Sequence, residues 1–166
     1  MKEVYIRQAE KDDLPALEWD GEYTHFRRLY ADTFSMVQQG HAIMWIAELN
    51  GSGLIGQCFI SLKGNRPELA DGISRAYLYG FRVRPNFRNQ GIGTQMMNTI
   101  EADLKERGFK QATLNVGLDN LDARRFYNRL GYLIVGSEPG FWSYIDDQGK
   151  RRDVHEPAWR MVKDLV

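Results

Sequence analysis

The sequence has little cysteine, no excess of either charge and no long apolar run. Cys58 is the only cysteine in 166 residues, which excludes an intramolecular disulfide and favours a reducing, cytoplasmic location. Lys plus Arg and Asp plus Glu both total 22, whereas proteins that bind nucleic acid or anionic membranes usually carry a basic excess. The longest apolar run, 42–47, has six residues. It is too short for a membrane span or a signal peptide.

Length and composition are typical of an ordinary globular domain. Hydrophobic residues make up 43% of the chain and charged residues 27%, a balance found in folded proteins that are neither disordered nor fibrous. A chain near 150 residues buries roughly 68–70% of its unfolded surface, enough for one sizeable core. No repeat or Ser/Pro-rich linker interrupts the sequence. We therefore expect residues 1–166 to form a single domain.

Hydrophobic spacing predicts strands alternating with helices. The predicted order is strand, two helices, three strands, helix, strand, helix and two strands. Asn50-Gly51 between two β-like runs indicates an antiparallel hairpin, whereas the strand–helix–strand part favours parallel pairing, so we expect a mixed sheet with helices packed on it. Strands are predicted near 4–6 and at 41–49, 54–62, 75–84, 112–116, 132–135 and 158–165, helices after Pro15 and at 24–39, 92–104 and 121–130, and loops at 64–73 and before the last strand.

Two glycine-rich segments are candidates for phosphate binding. The first, 51–56, fits the dinucleotide-binding string literally. That string needs a helix after it, but residues 57–62 are strand-like, so we interpret the first segment as a turn. The second, 83–94, lies between a strand and the most regular helix, with Gly91 and Gly93 at the predicted helix start. Free N–H groups and the helix dipole favour an anion there. The alternative is a glycine-softened helix start flanked by solvated arginines.

Two motifs carry a resemblance to a known family. Arg88-x-x-Gly91-x-Gly93, introduced by Val83-x-Pro85, resembles the acetyl-CoA-binding motif of the GNAT N-acetyltransferase superfamily. Asn120-x-x-Ala123-x-x-Phe126-Tyr127-x-x-Leu130-Gly131-Tyr132 is similar to its second motif, and Ile6-Arg7-Gln8-Ala9 with Asp13-Leu14 resembles its opening strand and helix. The resemblance implies an α/β (α+β) fold. It has a mixed, largely antiparallel sheet of six to seven strands, helices on both faces, and splayed fourth and fifth strands.

The resemblance also implies acetyl-CoA as the acyl donor, and we expect no metal because the three histidines show no metal-ligand spacing. The backbone of Phe81, Arg82 and Val83 would pair with the pantetheine arm, because a splayed strand has unpaired N–H and C=O groups. Asn120 would hydrogen-bond the arm and Phe126 would pack near it, although core packing explains Phe126 equally well. The pyrophosphate would lie on the backbone amides of seven residues: Arg88, Asn89, Gln90, Gly91, Ile92, Gly93 and Thr94.

Tyr127 is the catalytic candidate. The resemblance implies transfer of the acetyl group to a primary amine of a small molecule or protein, by direct attack in a ternary complex. When an amine attacks a thioester, a thiolate leaves, and the phenol of Tyr127 can hydrogen-bond or protonate it. The reference pKa of Tyr, about 10, exceeds that of a thiol, about 8.5, so stabilisation of the charge is the larger role. The alternative is that Tyr127 only packs beneath the sheet.

The general base is left open by the sequence. A primary amine with a pKa near 10.4 is mostly protonated at neutral pH and must lose a proton to attack. Many family members have a glutamate in the fourth strand. Here Tyr77 and Tyr79 occupy that neighbourhood, with the same strand parity as Phe81 and Val83. A water chain is one substitute, and the side chains that could act instead are Glu48, Glu22, Asp20, His25 and Glu138.

The acceptor side is also open. We expect it to be formed by the first two helices and the loop before the last strand, where aromatic and acidic residues suit a cationic amine, a homodimer contact or ordinary core. These residues are Trp19, Asp20, Glu22, Tyr23, Phe26, Phe141, Trp142 and Tyr144. One alternative function is a catalytically inactive acyl-CoA-binding sensor or interaction module. An RNA-binding module would use Arg124, Arg125, Arg129 and 150–152, but solvated faces or the 3′-phosphate of CoA explain these clusters more simply, and we expect no nucleic-acid partner.

Overall fold

The computed structural model describes residues 3–166 and is organised around a seven-stranded sheet in the order β1-β2-β3-β4-β5-β9-β6. Its strands are β1 Val4–Gln8, β2 Ala42–Leu49, β3 Gly53–Ser61, β4 Arg75–Val83, β5 Gln111–Gly117, β6 Leu133–Glu138 and β9 Ala158–Asp164, and a separate hairpin comprises β7 Phe141–Ile145 and β8 Arg151–His155. The helices are α1 Arg27–Gln38, α2 Ile92–Glu106 and α3 Leu121–Arg129. Within this part of the chain, only β4 and β5 pair in parallel. The predicted mixed, largely antiparallel sheet is confirmed.

Helices cover both faces of the sheet, as predicted. On one face, α2 buries Met96, Met97, Ile100 and Leu104 completely, and α3 packs beside it. On the other face, α1 and a 3-10 segment, Lys11–Gly21, cover Met44, Ile46 and Phe59. The four-residue spacing that predicted α2 is therefore its buried stripe, and burial of each such side chain contributes about 1.5–3 kcal/mol.

The N-terminal helical region is less regular than predicted. Its first segment is a 3-10 helix rather than an α-helix, and Trp19 and Asp20 within it have φ values of 48° and 58°. The predicted second helix begins with a further 3-10 turn, Thr24–Phe26, before α1 proper. Gly40, at φ +80°, ends it in the left-handed conformation that favours glycine.

The loop predicted before the last strand is largely a β-hairpin, so that prediction is wrong. Asp146 organises its turn: Oδ1 accepts hydrogen bonds from the backbone N–H groups of Gln148 and Lys150, each at 2.9 Å. The residues Asp146-Asp147-Gln148-Gly149, preceded by an aromatic-rich segment, are typical of a turn. The hairpin brings Trp142 against Phe26, at the start of α1, with the ring centroids 6.3 Å apart.

A β-bulge in β4 alters which side chains share a face. Gln57 pairs with Arg82 but Phe59 pairs with Tyr79, so one residue of β3 lies opposite two of β4. Gly80, at φ +63°, lies in the bulge. The prediction that Tyr77 and Tyr79 share their parity with Phe81 and Val83 is therefore wrong. Tyr79 packs on the α1 face, whereas Phe81 and Val83 pack on the α2 face.

No helix formed by residues 3–166 is both long and apolar enough to cross a membrane.

Candidate active site

The centre of the sheet opens where β4 and β5 separate. Their parallel pairing ends at Leu78 and Leu114. Beyond this point β4 continues to Val83, while β5 continues to Gly117 along β9. The β5-facing edge of residues 79–83 therefore lacks a strand partner, which leaves backbone donors and acceptors free for an amide-rich ligand.

The N-terminus of α2 lies at the same opening. Its N-cap, Gly91, has φ +81°, and no side chain of the described residues caps the first turn. Arg88 fixes the preceding loop, because its Nε donates to the carbonyl oxygen of Val83 at 2.8 Å. The uncapped N–H groups and the positive end of the helix dipole together form a place for an anion.

These two features border one cleft of about 1020 Å³. It is lined by twelve of the residues predicted to bind the cofactor: Phe81, Arg82, Val83, Arg88, Asn89, Gly91, Ile92, Gly93, Thr94, Asn120, Phe126 and Tyr127. Gln90 does not line the cleft, and its side-chain amide donates to the carbonyl oxygen of Asn86 at 3.1 Å. Arg125 and Arg129 of α3 also line it. Sequence spacing therefore placed nearly all of these residues around one cavity.

Phe126 and Asn120 line the cleft, and each also has a structural role. A Cβ built on Gly93 would be 3.3 Å from the Phe126 ring, so Phe126 packs closely against the start of α2. Asn120 is the N-cap of α3, and its side-chain oxygen accepts a hydrogen bond from the N–H of Ala123 at 3.2 Å. The core-packing interpretation of Phe126 and a cleft role are thus compatible.

A second cavity, of about 1320 Å³, lies on the α1 side of the opening. Its aromatic walls are Phe26, Tyr30, Phe59, Tyr77, Tyr79, Phe141 and Trp142. Both cavities are lined by the same seven residues at the point where they meet: Tyr79, Gly80, Arg82, Asn115, Gly117, Asn120 and Glu156. A ligand in one cavity can therefore reach a ligand in the other at the gap between β4 and β5.

Sequence comparison identifies the family. The sequence model of the acetyltransferase (GNAT) family matches residues 5–132. The chain belongs to the GNAT acetyltransferase family. It is 28% identical over 142 residues to an uncharacterized N-acetyltransferase of Methanocaldococcus jannaschii, covering 80% of this chain and 62% of that protein. An uncharacterized N-acetyltransferase of Archaeoglobus fulgidus is 30% identical over 133 residues, covering 74% of this chain and 88% of that protein.

Solved structures show the same GNAT fold. The ribosomal-protein-S18-alanine N-acetyltransferase of Escherichia coli superposes with a TM-score of 0.73 at 19% identity, covering 98% of this chain and 94% of that chain. An aminoglycoside 6′-N-acetyltransferase complexed with coenzyme A superposes with a TM-score of 0.66 at 20% identity, covering 98% and 97%. At these identities the likeness is one of fold.

Tyr127 of this GNAT chain lies in the wall of the first cavity, on α3. Its ring contacts those of Phe126, Tyr132 and Phe81, with centroids 5.3, 5.8 and 6.3 Å away. Burial raises the pKa of the Tyr127 hydroxyl well above its ordinary value of 10. The hydroxyl therefore stays protonated at neutral pH and is a hydrogen-bond donor rather than a strong acid.

The residues predicted for the acceptor side are partly brought together. Phe26, Phe141 and Trp142 line the second cavity, and Tyr144 packs on Phe26 with the ring centroids 4.9 Å apart. Tyr23 lines the first cavity instead. The remaining three predicted residues, Trp19, Asp20 and Glu22, line neither cavity. Three of the predicted aromatic residues therefore line the second cavity, whereas the acidic residues that line it are ones the prediction did not include for this wall.

The Arg82 side chain points away from the open edge of β4. Its guanidinium lies 4.2 Å from the ring centroid of Tyr23 and 5.5 Å from that of Phe26, and Nη1 donates to the Tyr30 hydroxyl at 3.3 Å. Only the backbone of Arg82 is left to face a ligand at that edge.

Most of the side chains considered as bases lie away from the gap. Glu48 pairs with Arg7 at 3.0 Å, and Asp20 pairs with Arg84 at 3.5 Å. Neither lines a cavity, and the same holds for Glu22 and His25. These four are therefore separated from the place where the two cavities meet.

Glu138 lines the second cavity but is already engaged. Arg66 Nη2 and Arg160 Nε donate to its carboxylate at 2.8 and 2.9 Å. Burial raises the pKa of Glu138, but the hydrogen bonds from the two arginines outweigh this, so the pKa falls below its ordinary value. Both properties make Glu138 a weak proton acceptor.

Proposed function

We propose that this protein transfers an acetyl group from acetyl-CoA to a primary amine of a small molecule or protein, by direct attack in a ternary complex. One observation carries the proposal: two cavities meet at the gap between β4 and β5, one bordered by an open strand edge and a helix N-terminus, the other by aromatic side chains. We propose that residues 1–166 act as one acetyltransferase domain.

The first cavity fits the acyl donor. Acetyl-CoA supplies an activated thioester and carries amides in its arm and phosphates at its far end. The arm amides match the unpaired backbone of Phe81, Arg82 and Val83, and the diphosphate matches the N–H groups of residues 88–94 at the start of α2. The guanidinium groups of Arg125 and Arg129 line the same cleft and suit a further phosphate.

Tyr127 acts on the leaving group. Expulsion of a thiolate develops negative charge on sulfur, and a protonated phenol in the wall of the cleft donates a hydrogen bond to it. Because burial holds the pKa of Tyr127 above that of a thiol, stabilising the charge is favoured over full proton transfer.

The acceptor class follows from the second cavity. Aromatic faces attract cations, so the rings of Tyr77, Phe141 and Trp142 in this cavity suit an ammonium group. Related folds are named for amine acceptors of different sizes, including a ribosomal-protein alanine and an aminoglycoside. These names support an amine as acceptor and leave its size open.

Two measurements test the proposal. Acetyl-CoA at 100 times its dissociation constant should add about 2.7 kcal/mol to the free energy of unfolding, with adenosine alone as the control. A panel of amines, from spermidine to peptides with free N-termini, should then release free CoA thiol above background hydrolysis. Absence of stabilisation would overturn the proposal. Stabilisation without CoA release with any amine would instead indicate an acyl-CoA-binding sensor.

A further inference from the structure

Glu156 lies at the junction of the two cavities, although no sequence motif pointed to it. Among the described residues it is the only acidic residue that lines both cavities: Asp122 lines the first, and Asp119 and Glu138 line the second. Within the described chain, no Lys, Arg or His nitrogen lies within 4.0 Å of its carboxylate. The residue Glu156 therefore lies at the meeting point, and its carboxylate is not neutralised by an ion pair within the described chain.

The backbone around Glu156 is held from two sides. Its N–H donates to the carbonyl oxygen of Gly140 at 2.8 Å, which closes the base of the β7–β8 hairpin. The next residue, Pro157, accepts a hydrogen bond from Leu118 at 3.0 Å. Ala158 then pairs with Gly117 at the end of β5. The segment between β8 and β9 thus runs beside the end of β5, which places Glu156 across the gap from β4.

The transfer needs a proton acceptor at this position. An amine with a pKa near 10.4 is almost entirely ammonium at neutral pH, so its nitrogen must lose one proton before it can attack and a second as it becomes an amide. A general base has to lie within hydrogen-bond reach of that nitrogen, directly or through one water. Of the carboxylates in the cavities, Glu138 is bound by two arginines. Asp119 and Asp122 each border one cavity only.

We propose that Glu156 is the general base of the transfer, an inference that rests on the proposed function. The amine nitrogen attacks the thioester carbonyl carbon, so a C–N bond forms and the C–S bond breaks. The two protons that nitrogen loses, one before the attack and one afterwards, pass in turn to the Glu156 carboxylate, directly or through one water, and from there to solvent. The electron pair of the C–S bond leaves on sulfur as a thiolate, which accepts a hydrogen bond from Tyr127 and takes its proton from solvent.

The test compares three variants with the wild type. Glu156→Gln removes the proton acceptor and keeps the shape, Glu156→Asp keeps a carboxylate on a shorter stem, and Asp153→Asn is a matched control. Asp153 is an exposed carboxylate on the same hairpin that pairs with Arg151 and lines neither cavity. At pH 7 we expect Glu156→Gln to lower kcat by about 100-fold or more, Glu156→Asp to retain part of the rate, and Asp153→Asn to match the wild type.

Two further readouts separate a base from a structural role. Stabilisation by acetyl-CoA should be the same in wild type and Glu156→Gln, because the carboxylate is not needed to hold the donor. The ratio of wild-type to Glu156→Gln rates should shrink as the pH rises towards 10, because the amine then arrives already neutral. A structural defect would lower the rate by the same factor at every pH.

Several results would overturn the proposal. These are an unchanged kcat in Glu156→Gln, a raised KM for cationic amines with unchanged kcat, which would make Glu156 a binding anchor, or loss of acetyl-CoA stabilisation, which would make it structural. A wild-type protein that releases no CoA with any amine would overturn the proposed function and the base together. An inactive wild type can be told apart from the three earlier results, because each of those compares Glu156→Gln with a wild type that binds acetyl-CoA and releases CoA.

Discussion

Gly80 of β4 lies directly over the ring of Phe59 in β3. A Cβ built on Gly80 would be 2.8 Å from Cδ2 of that ring, closer than real Cβ contacts approach, and the backbone φ is +63°. This contact lies at the bulge that separates the α2-facing part of β4 from the α1-facing tyrosines. The position where the two cavities meet thus depends on the absence of one side chain.

Replacing Gly80 with alanine should damage both stability and donor binding. The positive φ is strained for alanine and the Phe59 ring would have to move, so we expect a loss of about 1–3 kcal/mol in the free energy of unfolding. Displacement of β4 should also weaken acetyl-CoA stabilisation. Denaturant unfolding with and without acetyl-CoA measures both effects. Gly136→Ala is the control, because Gly136 lies in a strand with no atom near its added Cβ and no positive φ. Equal behaviour of the two variants would contradict a special role for Gly80.

Asn120 allows capping to be separated from donor binding. Asn120→Ala removes the hydrogen bond to the Ala123 N–H and should cost about 1 kcal/mol of stability. Asn120→Asp keeps the capping oxygen, and its negative charge interacts favourably with the helix dipole, but it loses the side-chain NH₂ donor. If Asn120 also contacts the pantetheine arm, Asn120→Asp should unfold like the wild type and yet bind acetyl-CoA more weakly. Unchanged acetyl-CoA affinity in Asn120→Asp would limit Asn120 to the cap.

Tyr127→Phe should slow turnover and leave acetyl-CoA binding intact. The ring contacts are retained and only the hydroxyl is removed, so stabilisation by acetyl-CoA should match the wild type while kcat falls by about 100-fold. Because burial raises the pKa of Tyr127, the wild-type rate should not decline from ionisation of this phenol up to about pH 10. Tyr5→Phe is the control, since Tyr5 is half exposed on β1 and lines neither cavity. An unchanged kcat would remove Tyr127 from the mechanism.

Asp71 should make the entry to β4 sensitive to acid. Its Oδ1 accepts hydrogen bonds from the backbone N–H groups of Ile73, Ser74 and Arg75 at 2.9, 2.7 and 2.8 Å. Burial raises the pKa of Asp71, but these backbone hydrogen bonds outweigh it, so the folded-state pKa lies well below the ordinary value of 3.8. A depressed folded pKa gives stability that is present above the unfolded pKa of about 3.9 and lost as the pH falls towards the folded pKa.

The measurement for Asp71 is the free energy of unfolding against pH. We expect Asp71→Asn to be less stable than the wild type at pH 7, and the difference should narrow as the pH falls below about 4. Asp12→Asn, which changes an exposed carboxylate, should show no such narrowing of its stability difference from the wild type. If the wild type and Asp71→Asn differed in their free energy of unfolding by the same amount at every pH, the shape of the side chain, rather than its charge, would stabilise this turn.

The sequence predicted the parts of the site that are local in the chain. The four-residue spacing of Ile92, Met96 and Ile100 sets the buried stripe of α2, and Gly91 lies immediately before its first turn. A strand, a glycine-containing turn and a helix N-terminus follow one another directly, so the anion-binding geometry can be inferred from a short segment. The N-cap Asn120 and the aromatic residues Phe126 and Tyr127 of α3 can likewise be inferred from one short segment.

The parts that were missed depend on strand order or on single-residue shifts. Glu156 reaches the gap because β9 inserts between β5 and β6, a pairing that no local pattern encodes. The bulge at Gly80 reverses the parity of the residues after it, and the only signal was a glycine inside a strand pattern. The hairpin after Pro139 has a turn signal, but each of its strands has only five residues and little alternation of apolar and polar residues. The strands were therefore hard to predict. The lining of the second cavity therefore depends on long-range strand pairing, whereas that of the first depends mainly on consecutive residues, which explains why the first was easier to predict.

Gly140 gives an independent route to the position of Glu156. A Cβ on Gly140 would be 1.9 Å from the Glu156 carbonyl oxygen, at a backbone φ of +74°, so Gly140→Ala must push the two strands of the hairpin base apart. Gly149, in the hairpin turn, has φ +82° but meets only the end of the Arg28 side chain, 3.4 Å away. Both alanine variants carry the strain of a positive φ, about 1 kcal/mol, but only Gly140→Ala displaces Glu156.

We therefore expect Gly149→Ala to lose a little stability and keep its kcat, whereas Gly140→Ala should lose kcat by at least tenfold while still being stabilised by acetyl-CoA. The tenfold loss corresponds to about 1.4 kcal/mol of transition-state stabilisation. Thiol-release kinetics on both variants, at temperatures where each remains folded, give the comparison. If Glu156 is the base, the kcat loss in Gly140→Ala should also shrink towards pH 10, as it should in Glu156→Gln. A pH-independent loss would show that the hairpin shapes the acceptor cavity without positioning a proton acceptor.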